Sequence, residues 1–188
     1  MNAENSLATL AQETGADIPA EKSGHYLKFY EDFFADRRLD ALNIVEIGIL
    51  NGGSTLMFAK YFPNARMVSI DINRPPNALY VCLKRDQLED RIAVAIGSQD
   101  DEAFLEEALQ NHFGGAPIDL VIDDASPHVQ VNESLVQLPF RQAPQARRLV
   151  CGRGLGLRLL AEMARRQPRW AARASAFRKG TSRRTGPV

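Results

Sequence analysis

The stretch from Asn43 to Asp71, NIVEIGILNGGSTLMFAKYFPNARMVSID, constrains this chain more than any other part of it. Ile44, Val45, Ile47 and Ile49 make a short apolar run rich in β-branched residues, which favours a buried strand. Gly48, Gly52 and Gly53 then allow a sharp turn and let a ligand approach the backbone without Cβ atoms in the way. Ser54 or Thr55 is placed to cap the helix that follows, whose apolar positions Leu56, Met57 and Tyr61 recur at roughly helical spacing. Asp71 closes a second strand about twenty residues past the turn, where a nucleotide-binding α/β unit presents a carboxylate to ribose hydroxyls.

The glycine spacing bears on the ligand. A dinucleotide turn shows G-x-G-x-x-G, and a phosphate loop ends in G-K-[ST]. Here the pattern is E-x-G-x-x-x-G-G-S, with Glu46 inside the strand and no lysine in the turn. A carboxylate beside the turn repels a pyrophosphate and suits a ligand carrying an ammonium or sulfonium charge. S-adenosylmethionine has an adenosine, a cationic sulfur and an amino-acid tail. Two other readings stay open on these residues alone: a glycine turn that merely packs strand on helix, and a nicotinamide-dependent dinucleotide site.

With 188 residues, 45% of them hydrophobic, and no long apolar run, the chain has room for one soluble domain. MNAENSLATLAQETGADIPA has no apolar stretch after a basic start, so no signal peptide and no membrane association are expected. Cys82 and Cys151 form no metal or redox spacing, which makes a reducing cytoplasm the expected setting. The formal charge of zero averages two opposed regions. Residues 1 to 140 carry 10 Lys+Arg against 22 Asp+Glu, net −12, whereas residues 141 to 188 carry 13 against 1, net +12.

Along the chain, elements alternate. Residues 3 to 14 suggest a mostly polar helix. Residues 25 to 38 suggest a stronger amphipathic one, with Tyr26, Phe29, Tyr30, Phe33 and Phe34 on or near one face, favouring core packing over ligand contact. NRPPN breaks the chain after Asp71, Tyr80 to Glu89 is expected to be a short helix, and residues 91 to 97 a third strand. A polar turn, Ser98-Gln99-Asp100-Asp101, leads into a helix over EAFLEEALQNHF, and residues 118 to 124 form a fourth strand ending in two carboxylates. Such alternation predicts a parallel sheet with ligands at the carboxyl ends of its strands. The Gly48 turn, Asp71, the Gln99 turn and Asp123-Asp124 would meet there.

The set KSGHYLKFYEDFF, VEIGILNGGST, YFPNARMVSIDI, GSQDDEAFL and IDLVIDDASPH resembles one branch of the class I S-adenosylmethionine-dependent methyltransferases. That branch comprises the magnesium-dependent O-methyltransferases of sugars and natural products, related to macrocin O-methyltransferase and the cephalosporin hydroxylase family. The resemblance implies a Rossmann-like three-layer α/β sandwich with a parallel sheet over residues 22 to 137, after a polar segment at 1 to 21. It implies that Glu46, Gly48, Asn51, Gly52, Gly53 and Ser54 hold the methionine portion of S-adenosyl-L-methionine. It further implies that Asp71 binds the ribose and that Ser98, Gln99 and Asp100 flank the adenine. The family's D-D-x-S-H strand end corresponds to Asp123, Asp124, Ser126 and His128, with Pro127 one residue extra. Asp123 is the implied Mg²⁺ ligand, and Asp124 and His128 the implied catalytic groups. The acceptor would be a small-molecule hydroxyl, activated as an alkoxide by the metal and a nearby base. The oligomeric state stays open.

The same family implies a Lys-Pro-Gly-Gly turn and a fifth strand ending in Glu-Asp after the fourth strand. Residues 138 to 188 show neither; they are arginine-rich, without strand alternation, and expected to be helical (over 154 to 179) or disordered, with Leu149 to Cys151 a substitute strand. Back-translated and read one nucleotide later, Gln145 to Pro168 permits KPGGLFVEEDWDCAYWPKWPGDNP. Gln145, Met163 and Gln167 are the constrained positions, giving Lys or Arg, Trp, and Asn or Ser. The inference is a frameshift near Gln137 to Phe140, a sheet truncated after its fourth strand, and poor or absent catalysis. The rival class is a nucleic-acid-binding module built on the basic tail, but only Trp170 and Phe177 supply aromatic interleaving, so specific binding is not expected.

Overall fold

In a computed structural model of the protein, the structure describes residues 6–15, 24–124, 150–152 and 155–158. Four β-branched-rich runs form strands: β1 (Asn43–Ile47), β2 (Arg66–Asp71), β3 (Ile92–Ile96) and β4 (Leu120–Asp123). All pair in parallel, in the order β3-β2-β1-β4. Helices α1 (Leu7–Gly15) and α2 (Gly24–Phe34) precede the sheet, α3 (Gly53–Tyr61) joins β1 to β2, α4 (Asn77–Arg85) joins β2 to β3, and α5 (Glu102–Phe113) joins β3 to β4. This is the expected α/β Rossmann-like architecture.

Side-chain alternation along the strands divides the core into two layers. Ile44, Met67, Ile92, Leu120 and Ile122 pack toward the helices that precede β3, with Leu7, Tyr30, Phe34, Met57, Phe58, Leu79 and Leu83. Val45, Ile47, Val68, Ile70 and Val121 face the other way, onto Leu105, Leu109 and Phe113 of α5. Each large side chain buried this way contributes on the order of 1.5–3 kcal/mol. On the aromatic face of α2, Tyr30 and Phe34 are buried and Phe33 packs against the core, as expected, while the side chains of Tyr26 and Phe29 lie outside what is described; Tyr30 meets Phe58 edge-on at 5.5 Å between ring centroids.

β1 lies inside the sheet, β2 on one side and β4 on the other, so the chain reverses direction of growth at β1. That arrangement opens a crevice at the carboxyl ends of β1 and β4. The opposite, amino end is closed. There the Asp119 carboxylate, 2% exposed, accepts the Asn43 N–H at 3.0 Å and faces the Arg37 guanidinium at 3.6 Å. Arg91 spreads its guanidinium over the carbonyls of Ala59, Phe62 and Ala65 (3.1, 3.3 and 2.7 Å), a cation at the C-terminal end of α3.

Three expectations change. No side chain caps α3: its N-cap is Gly52 at φ 92°, and Ser54 and Thr55 lie inside the first turn. α4 begins at Asn77 rather than Tyr80, because Pro76 serves as its N-cap instead of delaying it. It stops at Arg85, where Gln87 at φ 55° lets the Leu88 N–H reach back to the Leu83 carbonyl at 2.8 Å. Near the C-terminus, Val150–Gly152 and Leu155–Arg158 pair antiparallel as β5 and β6 in a separate two-stranded sheet. Residues 155 to 158 are therefore not helical, in keeping with Gly152, Gly154 and Gly156, which weaken a helix by about 1 kcal/mol each. Among the described residues no helix is long and apolar enough to cross a membrane.

Candidate active site at the carboxyl edge of the sheet

The β1–α3 turn is built on positive φ. Gly48 stands at 91°, Leu50 at 51° and Gly52 at 92°. A Cβ on Gly52 would come within 2.7 Å of Leu79 of α4, so this glycine admits a packing side chain as well as a turn. Leu50 is the exception to the glycine rule, and a side chain held in the left-handed region costs roughly 1–2 kcal/mol.

Asp71 ends β2 directly beside this turn. Its Oδ2 accepts the N–H of Ile49 at 2.8 Å and of Leu50 at 3.0 Å, while Oδ1 accepts the N–H of Asn73 at 2.9 Å. The carboxylate touching the turn is thus that of Asp71. Glu46 is fully buried beneath it: its Oε2 accepts the hydroxyls of Thr55 (2.6 Å) and Ser69 (2.8 Å), tying β1 to α3 and β2. A carboxyl group buried this deeply requires such hydrogen-bond partners.

The other sequence-derived residues fall along the same edge. Ile47 is level with Ile70 on β2 and Asp123 on β4, and Asp71 is level with Ile96 on β3. Asp71 and Asp123 therefore flank β1 from opposite sides, about 10 Å apart by strand spacing. The Asp124 N–H continues the ladder to the Ile47 carbonyl at 2.8 Å. Ser98, Gln99 and Asp100 follow β3, with the Asp100 N–H bonded to the Ser98 hydroxyl at 3.1 Å. Asp101 caps α5 by accepting the Phe104 N–H. Asn51, Gly53 and Ser54 complete the turn and first turn of α3, Asn51 half-buried and the other two buried. Ser126, Pro127 and His128 lie outside the described residues.

Sequence reasoning missed two residues here. Ile72 is 68% exposed and Ile96 44% exposed, and with Leu50 they leave three bare aliphatic side chains at the ends of three adjacent strands. The signal was readable: an isoleucine directly after the acid of β2 continues the strand's apolar run into open space. His112 belongs elsewhere. It sits at the amino end against the Arg91 carbonyl at 3.1 Å, and burial pushes its pKa down. Among the described residues no group of three or more His, Cys, Asp or Glu side chains comes together as a metal site.

No protein-family model matches the chain. Two curated proteins of Streptomyces olivaceus are similar to it. The 8-demethyl-8-(2-methoxy-alpha-L-rhamnosyl)-tetracenomycin-C 3'-O-methyltransferase is 35% identical over 108 residues, spanning 54% of this chain and 25% of that protein. The 8-demethyl-8-alpha-L-rhamnosyl tetracenomycin-C 2'-O-methyltransferase is 34% identical over 136 residues, spanning 62% and 33%. The chain thus covers a third or less of the length of these relatives. Among solved structures, the MycE methyltransferase from the mycinamycin biosynthetic pathway, in complex with Mg and SAH, matches with a TM-score of 0.56 and 26% identity. That match covers 79% of this chain and 35% of MycE. The parallel sheet and its flanking helices are thus similar to the fold of a solved methyltransferase, and the sequence is similar to those of two O-methyltransferases.

Proposed function

We propose that the chain carries the cofactor-binding domain of an S-adenosylmethionine-dependent O-methyltransferase whose acceptor is a hydroxyl of a sugar or other natural product. The observation that supports this most is the carboxyl edge: a lysine-free glycine turn pinned to Asp71, with Ile72 and Ile96 exposed beside it. These residues suit the methyl donor. Asp71 offers its remaining acceptor position to a ribose hydroxyl, and Ile72 an apolar surface to the adenine face. Ser98, Gln99 and Asp100 border the adenine edge. Gly48, Asn51, Gly52, Gly53 and Ser54 form the wall for the methionine portion, with Glu46 bracing that wall from beneath. No basic side chain between Asn43 and Ala59 attracts a pyrophosphate.

In the transfer, the acceptor oxygen attacks the methyl carbon in line, the carbon–sulfur bond breaks, and the thioether leaves as the hydroxyl proton passes to a base. The protein's part is placement and that proton. His128 is the proposed base and Asp124 its proposed partner at the strand end. Mg²⁺, when bound, would favour the alkoxide, and Asp123 supplies the hard oxygen such an ion takes. Successive residues at a strand end point to opposite faces, so Asp123 is proposed as one ligand and not as a complete set. A cytoplasmic setting is proposed, in keeping with Cys82, a free buried thiol. The domain limits proposed are residues 22 to 137, followed by an out-of-frame tail from 138; a gene whose coding region lacks the shifted string from codon 145 onward removes the tail proposal.

Thermal melting tests the ligand. Saturating S-adenosylhomocysteine should raise Tm by several degrees, as expected for binding at about a hundredfold excess over Kd, and NAD should leave it unchanged. A rise with NAD and none with S-adenosylhomocysteine would overturn the reading.

A further inference from the structure

Leu50 is the anomaly of the carboxyl edge. The Gly52 N–H donates to the Ile49 carbonyl at 2.8 Å, which closes a four-residue turn with Leu50 in its second position. Positive φ at that position is normally a glycine's. Leu50 adopts φ 51° nonetheless, and at 54% exposure its side chain is not held there by burial. A backbone outlier of this kind persists where its surroundings over-determine it. Besides the Gly52–Ile49 bond, what holds this turn is a carboxylate whose Oδ2 takes the N–H groups of both Ile49 and Leu50.

We propose that Asp71 is the positioning residue of the glycine turn as well as the ribose acceptor, and that its carboxylate is what keeps Leu50 left-handed. A carboxylate offers about four acceptor positions over its two oxygens. The turn fills both of those on Oδ2, and the Asn73 N–H fills one on Oδ1. The three donors fix the side-chain rotamer and leave one acceptor position on Oδ1. The wall against which a methyl donor lies and the group that reads its ribose are therefore set by one side chain, so damage to either is felt by both. The ribose half of this inference rests on the methyl-donor reading, whereas the turn half concerns the protein alone.

Two measurements test it. Amide hydrogen exchange of the protein without added ligand reads the turn by itself: Asp71→Ala should speed exchange at Ile49 and Leu50 by tenfold or more, the scale of a lost charge-assisted hydrogen bond. Calorimetry with S-adenosylhomocysteine reads the coupling. Asp71→Ala should weaken binding by about thirtyfold or more with Leu50 present. In the Leu50→Gly background, where glycine needs no clamp, the loss should be about fivefold smaller. Should Asp71→Ala fail to fold, Asp71→Asn is measured the same way. Unchanged exchange at Leu50, or equal affinity losses in the two backgrounds, would overturn the proposal. If the native chain binds no S-adenosylhomocysteine, the methyl-donor reading falls while the exchange result still decides the role of Asp71 in the turn.

Discussion

The two ends of the parallel sheet differ in how much apolar surface they leave open. At the amino end, buried polar groups are matched inside the protein: Asp119 to Asn43 and Arg37, and Arg91 to the carbonyls that end α3. At the carboxyl end, Leu50 is held against its conformational preference, and Ile72 and Ile96 stand in the open. Each end has one left-handed non-glycine residue, Gln87 before β3 and Leu50 after β1, but three exposed aliphatic side chains gather at the carboxyl end against Leu39 alone at the amino end, and in a domain with a net margin of only about 5–15 kcal/mol that concentration points to a role other than stability. The sealed end keeps the fold, and the open end is the one proposed to meet the ligand. That division makes opposite demands on mutations at the two ends.

The largest effect should come from the sealed end. Asp119→Ala leaves the buried Asn43 N–H and the Arg37 guanidinium without their shared acceptor, and should cost about 3 kcal/mol in urea unfolding. Gly52→Ala comes next, at about 2 kcal/mol, since it forces positive φ on an alanine and drives its Cβ into Leu79; a loss under 0.5 kcal/mol would show that the turn is free to relax. Asp86→Asn should cost about 1 kcal/mol. Hydrogen bonds from Arg85, and then Lys60, hold the Asp86 carboxyl down at about 2, from 3.8. Because the folded pKa is the lower one, this contribution is complete above about pH 4 and fades as the pH falls from 4 toward 2. Urea midpoints at pH 5 and pH 2.5 should therefore converge for the native chain and Asp86→Asn at the lower pH.

The smallest stability changes belong to the exposed side chains of the open end. Leu50→Gly should stabilise by about 0.5–1 kcal/mol, a gain at a position where sealed-end logic expects a loss. Ile72→Ser should shift stability by less than about 0.5 kcal/mol and yet weaken S-adenosylhomocysteine binding about tenfold, by removing the apolar surface proposed for adenine. A destabilisation of 2 kcal/mol or more by Ile72→Ser would mean that the residue is part of the core, and the contrast between the ends would be lost.

Much of this was legible in the sequence because the relevant signals are local. Strand runs, the order of elements and the acid after β2 are set by neighbouring residues, and Asp71 landed where its spacing placed it. The orientation of Glu46 was not legible: period-two alternation assigns it to a face, but whether it lines the turn or lies beneath it depends on Thr55 and Ser69 arriving from two other elements. The cap of α3 was misjudged for a related reason. Thr55 is drawn to Glu46, which leaves Gly52 as the cap. The early start of α4 turned on Pro76 acting as a cap and not as a breaker. Sequence alone also gave no sign that Leu50 would adopt a glycine's conformation, since that depends on a carboxylate twenty-one positions away.

The open edge is proposed to take an adenosine with a cationic tail in place of a dinucleotide. The most direct test is a crystal structure of the chain grown with S-adenosylhomocysteine. A ribose hydroxyl should lie on Asp71 and the purine face on Ile72, with the amino-acid tail along the Gly48–Ser54 turn. A structure grown with NAD that shows the pyrophosphate seated in that turn, or S-adenosylhomocysteine bound away from Asp71, would contradict the account.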